Sequence, residues 1–185
     1  MWAVVVADLI DPDIASLLPQ RDWASRRTAI VEGTSAVAAL AAARAVTVAE
    51  LPGLPEQRQV GETDLTVLED LLNQGFLLVS GHRVPPSLLF LRVGRIWQGR
   101  RPDLGIRTAE DFAAFAEPGF AKAVLSFAAV DVRGGVFLAV ETTLTATDQH
   151  TRRELNRGWL VDAWANSYHH RALLQAVAAR LGSEH

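Results

Sequence analysis

The chain has 185 residues, no cysteine and a formal charge of -3, enough for one ordinary domain with its own core and without the basic excess expected of a nucleic-acid partner. The missing thiols exclude disulfides, thiolate metal sites and a cysteine nucleophile, and they fit a reducing cytoplasm. With 49% apolar residues the chain is not a candidate for disorder, yet no apolar run approaches the ~20 residues of a membrane-crossing helix.

Residues 1–24 read as an N-terminal extension with no assigned role. Trp2 to Ala7 has strand character, and Ile14, Leu17 and Leu18 recur at helical spacing. Arg26 to Glu32 alternates as a strand and stops at Gly33. Thr34 or Ser35 then caps an Ala-rich helix running to about Val46, since alanine is the strongest helix former. Pro52, Gly53, Pro55 and Gly61 interrupt any regular pattern. Thr63 or Asp64 caps a second, shorter helix with Leu65, Leu68, Leu71 and Leu72 on one side, closed by Gly75. Phe76 to Ser80 and Ser87 to Trp97 follow as strands around a turn at Gly81 to Pro86, and Gln98 to Pro102 as a loop. Thr108 caps a helix carrying Phe112 and Phe115, stopped at Pro118-Gly119. The two strongest strands, Phe120 to Val132 and Val136 to Thr147, meet through Gly134-Gly135. Asp148 or Thr151 opens a final helix to the end of the chain.

This order predicts a single α+β domain over residues 1–185, with helices gathered on one face of an antiparallel sheet. In the last strand Val136, Leu138, Val140, Thr142, Leu144 and Ala146 share the inward face, by the two-residue period of a strand. The strand before it is apolar on both faces, which leaves its register open. The final helix carries Leu155, Trp159, Ala163, Asn166, His170, Leu173, Leu174, Val177 and Leu181 on one stripe. Its aliphatic end belongs over solid core, and its mixed first half over a cavity.

Val93-Gly-Arg-Ile-Trp97, the segment Phe115 to Ala123, the run Glu141 to Asp148 and the arginine-rich helix start with Trp159 follow one another in an order that resembles the START-related SRPBCC (helix-grip) superfamily, specifically its uncharacterised bacterial members. The resemblance spans roughly Ser25 to Leu181. It implies a curved antiparallel β-sheet wrapped around a long C-terminal helix, with a ligand pocket between them. It also implies lipids, sterols or polyketides as ligands, and cyclisation or hydrolysis in a minority of members. Similar sequences have a Pro- or Gly-containing segment after Trp159, where this chain reads Asp162-Ala-Trp-Ala-Asn-Ser-Tyr-His-His170.

The expected function is therefore binding of an apolar or amphipathic small molecule, without chemistry, by a cytoplasmic protein. The expected ligand-binding residues are Phe90, Arg92, Val140, Leu144, Trp159, Ala163, Asn166 and His170. No catalytic residue, metal ligand or cofactor is assigned. There is no Gly-x-Ser-x-Gly elbow, no His-x-x-x-His or Glu-x-x-His spacing on a helix and no glycine-rich phosphate loop. Adjacent helix positions diverge by about 100°, so His169 and His170 are not expected to face one site. Arg92 and Arg95 point to opposite sides of their strand; the inward one needs a partner such as Glu141 or a ligand carboxylate. Glu141 itself reads as a solvated strand residue. Trp97, Trp159 and Trp164 are candidate pocket walls or plain core. Lys122 shows nothing that would activate it as a Schiff-base amine. The alternative functions are a cyclase or hydrolase using Arg92, His170 or Tyr168, and a homodimeric interaction module exposing Met1 to Val6.

Overall fold

The computed structural model describes residues 12–53, 63–79, 87–95 and 104–183, with side chains in all of these except 12, 13, 157–168 and 183. The described elements are α1 (Pro12–Leu17), β1 (Trp23–Glu32), α2 (Ala36–Ala45), a short 3-10 turn (Val48–Glu50), α3 (Val67–Asn73), β2 (Leu77–Val79), β3 (Ser87–Gly94), α4 (Ala109–Ala114), β4 (Ala121–Val132), β5 (Gly135–Ala146) and α5 (Gln149–Ser183). The expected strands at Trp2 to Ala7 and Ile96-Trp97, the turn at Gly81 to Pro86 and the loop at Gln98 to Pro102 lie outside the described residues.

The strands form one antiparallel sheet in the order β1-β5-β4-β3-β2. β1 begins three residues earlier than its alternation indicated, at Trp23, because pairing with β5 continues to Leu144. The hairpin between β4 and β5 turns at Gly134, whose φ of +84° suits glycine. The next position admits no side chain: a Cβ on Gly135 would lie 2.2 Å from the Val31 carbonyl oxygen.

Pairing settles the register of β4. Leu125, Phe127 and Ala129 stand opposite Thr142, Val140 and Leu138 and so share their face of the sheet. That face is covered by helices. Buried Ala36, Ala39 and Ala43 on α2, and Ala172, Leu174, Ala176, Val177 and Leu181 on α5, join Leu88, Phe90, Phe127, Ala129, Val136, Leu138 and Val140 in the main core. Small side chains on α2 permit a close approach to the sheet. The Ser35 hydroxyl accepts the Ala38 N–H, and Asp131 at the end of β4 accepts the Ala36 N–H at 2.6 Å. Two of the orphan donors at the start of α2 are thereby satisfied.

The other face carries a second, smaller core: Ile14, Leu17 and Leu18 around α1, Phe112 from α4, and Leu89, Leu91 and Val124 from the sheet. Helices therefore lie on both faces, not on one. Glu141 is 5% exposed and ion-paired with Arg26 at 2.7 Å, while its other oxygen accepts the Thr143 hydroxyl at 3.0 Å. It is a buried, satisfied carboxylate, not a solvated one. Lys122 is also buried, and burial pushes its ammonium below its usual range. Its Nζ donates to the Ala113 and Phe115 carbonyls at 2.9 and 3.4 Å and lies 4.9 Å from the Phe112 ring centroid. Desolvation is present, but the amine is committed to the end of α4.

The start of α5 is fixed by Asp148, whose carboxylate accepts the Gly119 N–H, the Thr151 N–H and the Thr151 hydroxyl. The Thr151 hydroxyl and these backbone donors hold the Asp148 carboxyl well below the usual carboxylate range. From there the helix runs 35 residues and packs against β1, β5 and α2.

Candidate functional site

α3 is short, seven residues, and its start is set by Thr66 rather than Thr63 or Asp64. Thr66 and Glu69 form a reciprocal capping box, the hydroxyl accepting the Glu69 N–H and the Glu69 carboxylate accepting the Thr66 N–H. Gly75 ends the helix at φ +83° and releases Phe76 toward the sheet. Between α3, the middle of β4 and β5, and α5 a cleft of ≈ 240 Å³ remains. Val67, Leu71, Phe76, Leu125, Val140 and Leu173 provide its apolar walls, and Asp70, Gln74, Thr142, His169 and His170 its polar groups, with Leu51 at one side. A further void of ≈ 20 Å³ continues under Leu68, Leu88, Phe90 and Phe127, about the size of one water but with almost no polar lining to hold it.

The polar groups have distinct surroundings. The Asp70 carboxylate is buried and accepts the Gln74 side-chain N–H at 2.7 Å. His170 is 4% exposed, and its Nε2 is 2.8 Å from the Thr142 hydroxyl. Nδ1 of the same ring is buried with no hydrogen-bond partner among the described residues. Burial, then the positive charges available at His169 and Arg27, pushes the His170 imidazole down to about 4 from the ordinary 6.5. The ring is neutral at pH 7, one nitrogen a donor and the other an acceptor.

The expected site residues divide as follows. Val140 and His170 line the cleft, and Phe90 lines the smaller void beneath it. Arg92, rather than Arg95, lies on the face covered by α2 and α5, but its guanidinium sits 5.5 Å over the Phe76 ring, outside the cleft lining. Glu141 cannot serve it, since Glu141 is on the opposite face with Arg26. Leu144 is buried farther along β5, also outside the lining. Arg95 stacks 5.2 Å over Phe120. The side chains of Trp159, Ala163, Trp164, Asn166 and Tyr168, and all of Trp97 and Met1 to Val6, lie outside the described residues. His169 and His170 do border one cleft despite diverging on the helix, because the cleft runs from a buried floor at His170 to an open rim at exposed His169.

Thr142 was legible as inward-facing but not as the partner of a histidine, and Leu71 only as part of the apolar side of its helix; no motif marked Asp70 or Gln74. The available signal was the spacing of Asp70 and Gln74, four apart across the end of α3. A second depression, ≈ 410 Å³ and lined by Arg27, Thr28, Ala29, Arg171, Leu174, Gln175 and Ala178, runs between β1 and α5. It is larger but lies open on the surface, with no buried polar group among the described residues that line it. Among the described residues no group of three or more His, Asp or Glu side chains is placed to hold a metal ion, and no helix is long and apolar enough to cross a membrane.

Comparison of the chain with known protein families, with curated proteins and with solved structures finds no match in any of the three.

Proposed function

We propose that this protein binds an apolar or amphipathic small molecule, without chemistry, in the cleft between its sheet and its C-terminal helix, in the manner of START-related helix-grip proteins. The observation that carries this is the cleft of ≈ 240 Å³ with six apolar wall residues and its polar groups gathered on α3, β5 and α5. A concave, mostly apolar site with a few convergent polar groups is the usual form of a small-molecule pocket. Apolar burial at ~25 cal/mol per Å² supplies the affinity, and the polar groups fix the orientation. The long α5 laid over β1 and β5 also supports a helix-grip arrangement.

The test is a thermal-shift screen of the purified chain against lipids, sterols and aromatic polyketides, beside a Leu71→Trp variant whose indole occupies the cleft. A ligand present at about 100 times its Kd adds about 2.7 kcal/mol of stability, so a concentration-dependent rise in Tm is expected for the natural chain and none for Leu71→Trp. A rise of equal size in both, or none from any compound, counts against the cleft as a binding site.

A further inference from the structure

The two edges of the sheet differ. Among the described residues β2, at one edge, has three residues, and β1, at the other, has ten. Along an antiparallel edge strand, alternate residues turn both backbone groups toward the neighbouring strand or away from it. The Gly33 N–H donates to the Gly134 carbonyl at 2.9 Å, in line with the β1–β5 register, so Val31, Ala29 and Arg27 direct their backbone groups to β5. Arg26, Thr28, Ile30 and Glu32 direct theirs away from the sheet. Thr28, Ile30 and Glu32 are exposed, Ile30 by 68%. The outward carbonyl of Arg26 accepts Nη1 of Arg27 at 3.0 Å, a bond of the kind that the N–H of an added strand makes.

Beside this edge lies the depression of ≈ 410 Å³ between β1 and α5. A strand added to β1 runs about 4.8 Å from it, and every second side chain, on the side of α5, points into the depression. Ala29, Leu174 and Ala178 give the depression apolar surface, and exposed Arg27 and Arg171 give it two positive charges. No carboxylate lines it. Among the described residues neither arginine is ion-paired. A second copy of β1 suits the place poorly, because its residues on that side include a further Arg27 and bring a third positive charge.

We infer that β1 is a docking edge for an extended acidic peptide, which adds to the sheet as a sixth strand. Backbone hydrogen bonds to Thr28 and Ile30 hold the peptide. Its acidic side chains meet Arg27 and Arg171, and an apolar one on the same side rests on Ala29, Leu174 and Ala178. In this mode of recognition the main chain supplies affinity and the alternate side chains supply specificity.

The probe is a fluorescein-labelled peptide, Thr-Glu-Thr-Val-Thr-Glu-Thr, titrated with the full chain and followed by anisotropy. One counterpart carries lysine in place of both glutamates, and another carries proline in place of the two central threonines, which removes two backbone donors. The acidic peptide is expected to bind at least about tenfold more tightly than either counterpart. Combining Arg27→Gln with Arg171→Gln is expected to weaken it about tenfold, as the loss of two partly exposed ion pairs would. Ile30→Pro takes away an outward N–H while sparing the ladder to β5 and is expected to abolish binding; if that variant fails to fold, the proline peptide decides the same point. Equal affinity for the acidic and lysine peptides overturns the inference, as does equal affinity for the acidic and proline peptides or no binding of the acidic one. A dimer in sedimentation that Ile30→Pro dissociates assigns the edge to a second copy and overturns it too.

Discussion

At one end of the layer between sheet and helices, Ala129, Val136 and Leu138 meet Ala36, Ala39, Val177 and Leu181 in a filled core. At the other, two to four residues along the same strands, Leu125, Val140 and Thr142 face Leu173, His170 and an unfilled ≈ 240 Å³. The strands and the helix α5 are common to both ends. What differs is the second helix: α2 brings alanines that sink toward the sheet, whereas α3 is a seven-residue helix that stands farther along and brings Leu71, Asp70 and Gln74. Whether this sheet makes core or cleft is thus decided by the element laid beside α5, not by the sheet.

The contrast breaks most visibly in the energetics of truncation. Leu138→Ala, at a fully buried position of the filled end, is expected to cost about 2–5 kcal/mol, read as a lower urea midpoint with an unchanged slope. Leu71→Ala, where the side chain already borders empty space, is expected to cost about 1 kcal/mol, because it leaves no new enclosed cavity. Equal costs would mean that the two ends are packed alike.

A pH titration separates the ends next. The unfolded His170 ring takes a proton near 6.5 and the folded one only near 4. Between those values the unfolded chain binds the extra proton, so stability falls as pH drops from about 6.5 to about 4, by about 3 kcal/mol, and levels off for this group below that. His170→Phe removes that part of the slope. An unchanged slope in the variant would show that the ring is protonated, or solvated, in the folded protein.

The smallest effect belongs to the surface of the closed end, where Arg180 of α5 holds Glu50 by two hydrogen bonds of 2.7 Å. The Arg180 guanidinium, with the Thr47 N–H and hydroxyl, lowers the Glu50 carboxyl to about 2. Both side chains are 35% exposed, so Glu50→Gln is expected to cost no more than about 1 kcal/mol. This contribution is present above about 4.5 and is lost as pH falls through about 2, a window lying below that of His170. A larger loss would make the α5 attachment, rather than the core beneath it, the support of the closed end.

Alternation in β5 made its inward face legible, and with it Val140, because one face there is aliphatic and the other carries Glu141 and threonines. The same alternation misplaced Glu141 in solvent: a period of two reports which residues share a face, not what covers it. The register of β4 was illegible for the matching reason. Val124 serves the small core under α1 and α4 while Phe127 serves the large one, so both faces had to be apolar. The capping box of α3 was present as Thr66-x-x-Glu69 but stood beside two other capping residues, Thr63 and Asp64, and only the backbone chooses among them. His170 stands out in the sequence by its place on the helical stripe. Its pairing with Thr142 depends on a contact 28 positions apart in the chain, which no local pattern encodes.

Lys122 carries a consequence for the order in which the molecule assembles. α4 has six residues, well short of the ~12–15 that a helix needs to persist alone in water. Its final carbonyls are held from outside, by an amine on β4, and its one buried side chain, Phe112, rests on the sheet. α4 is therefore expected to form only after β3 and β4 have paired. A fluorophore at exposed Glu110 would accordingly clock the closing of the sheet's small core, although it sits on a helix.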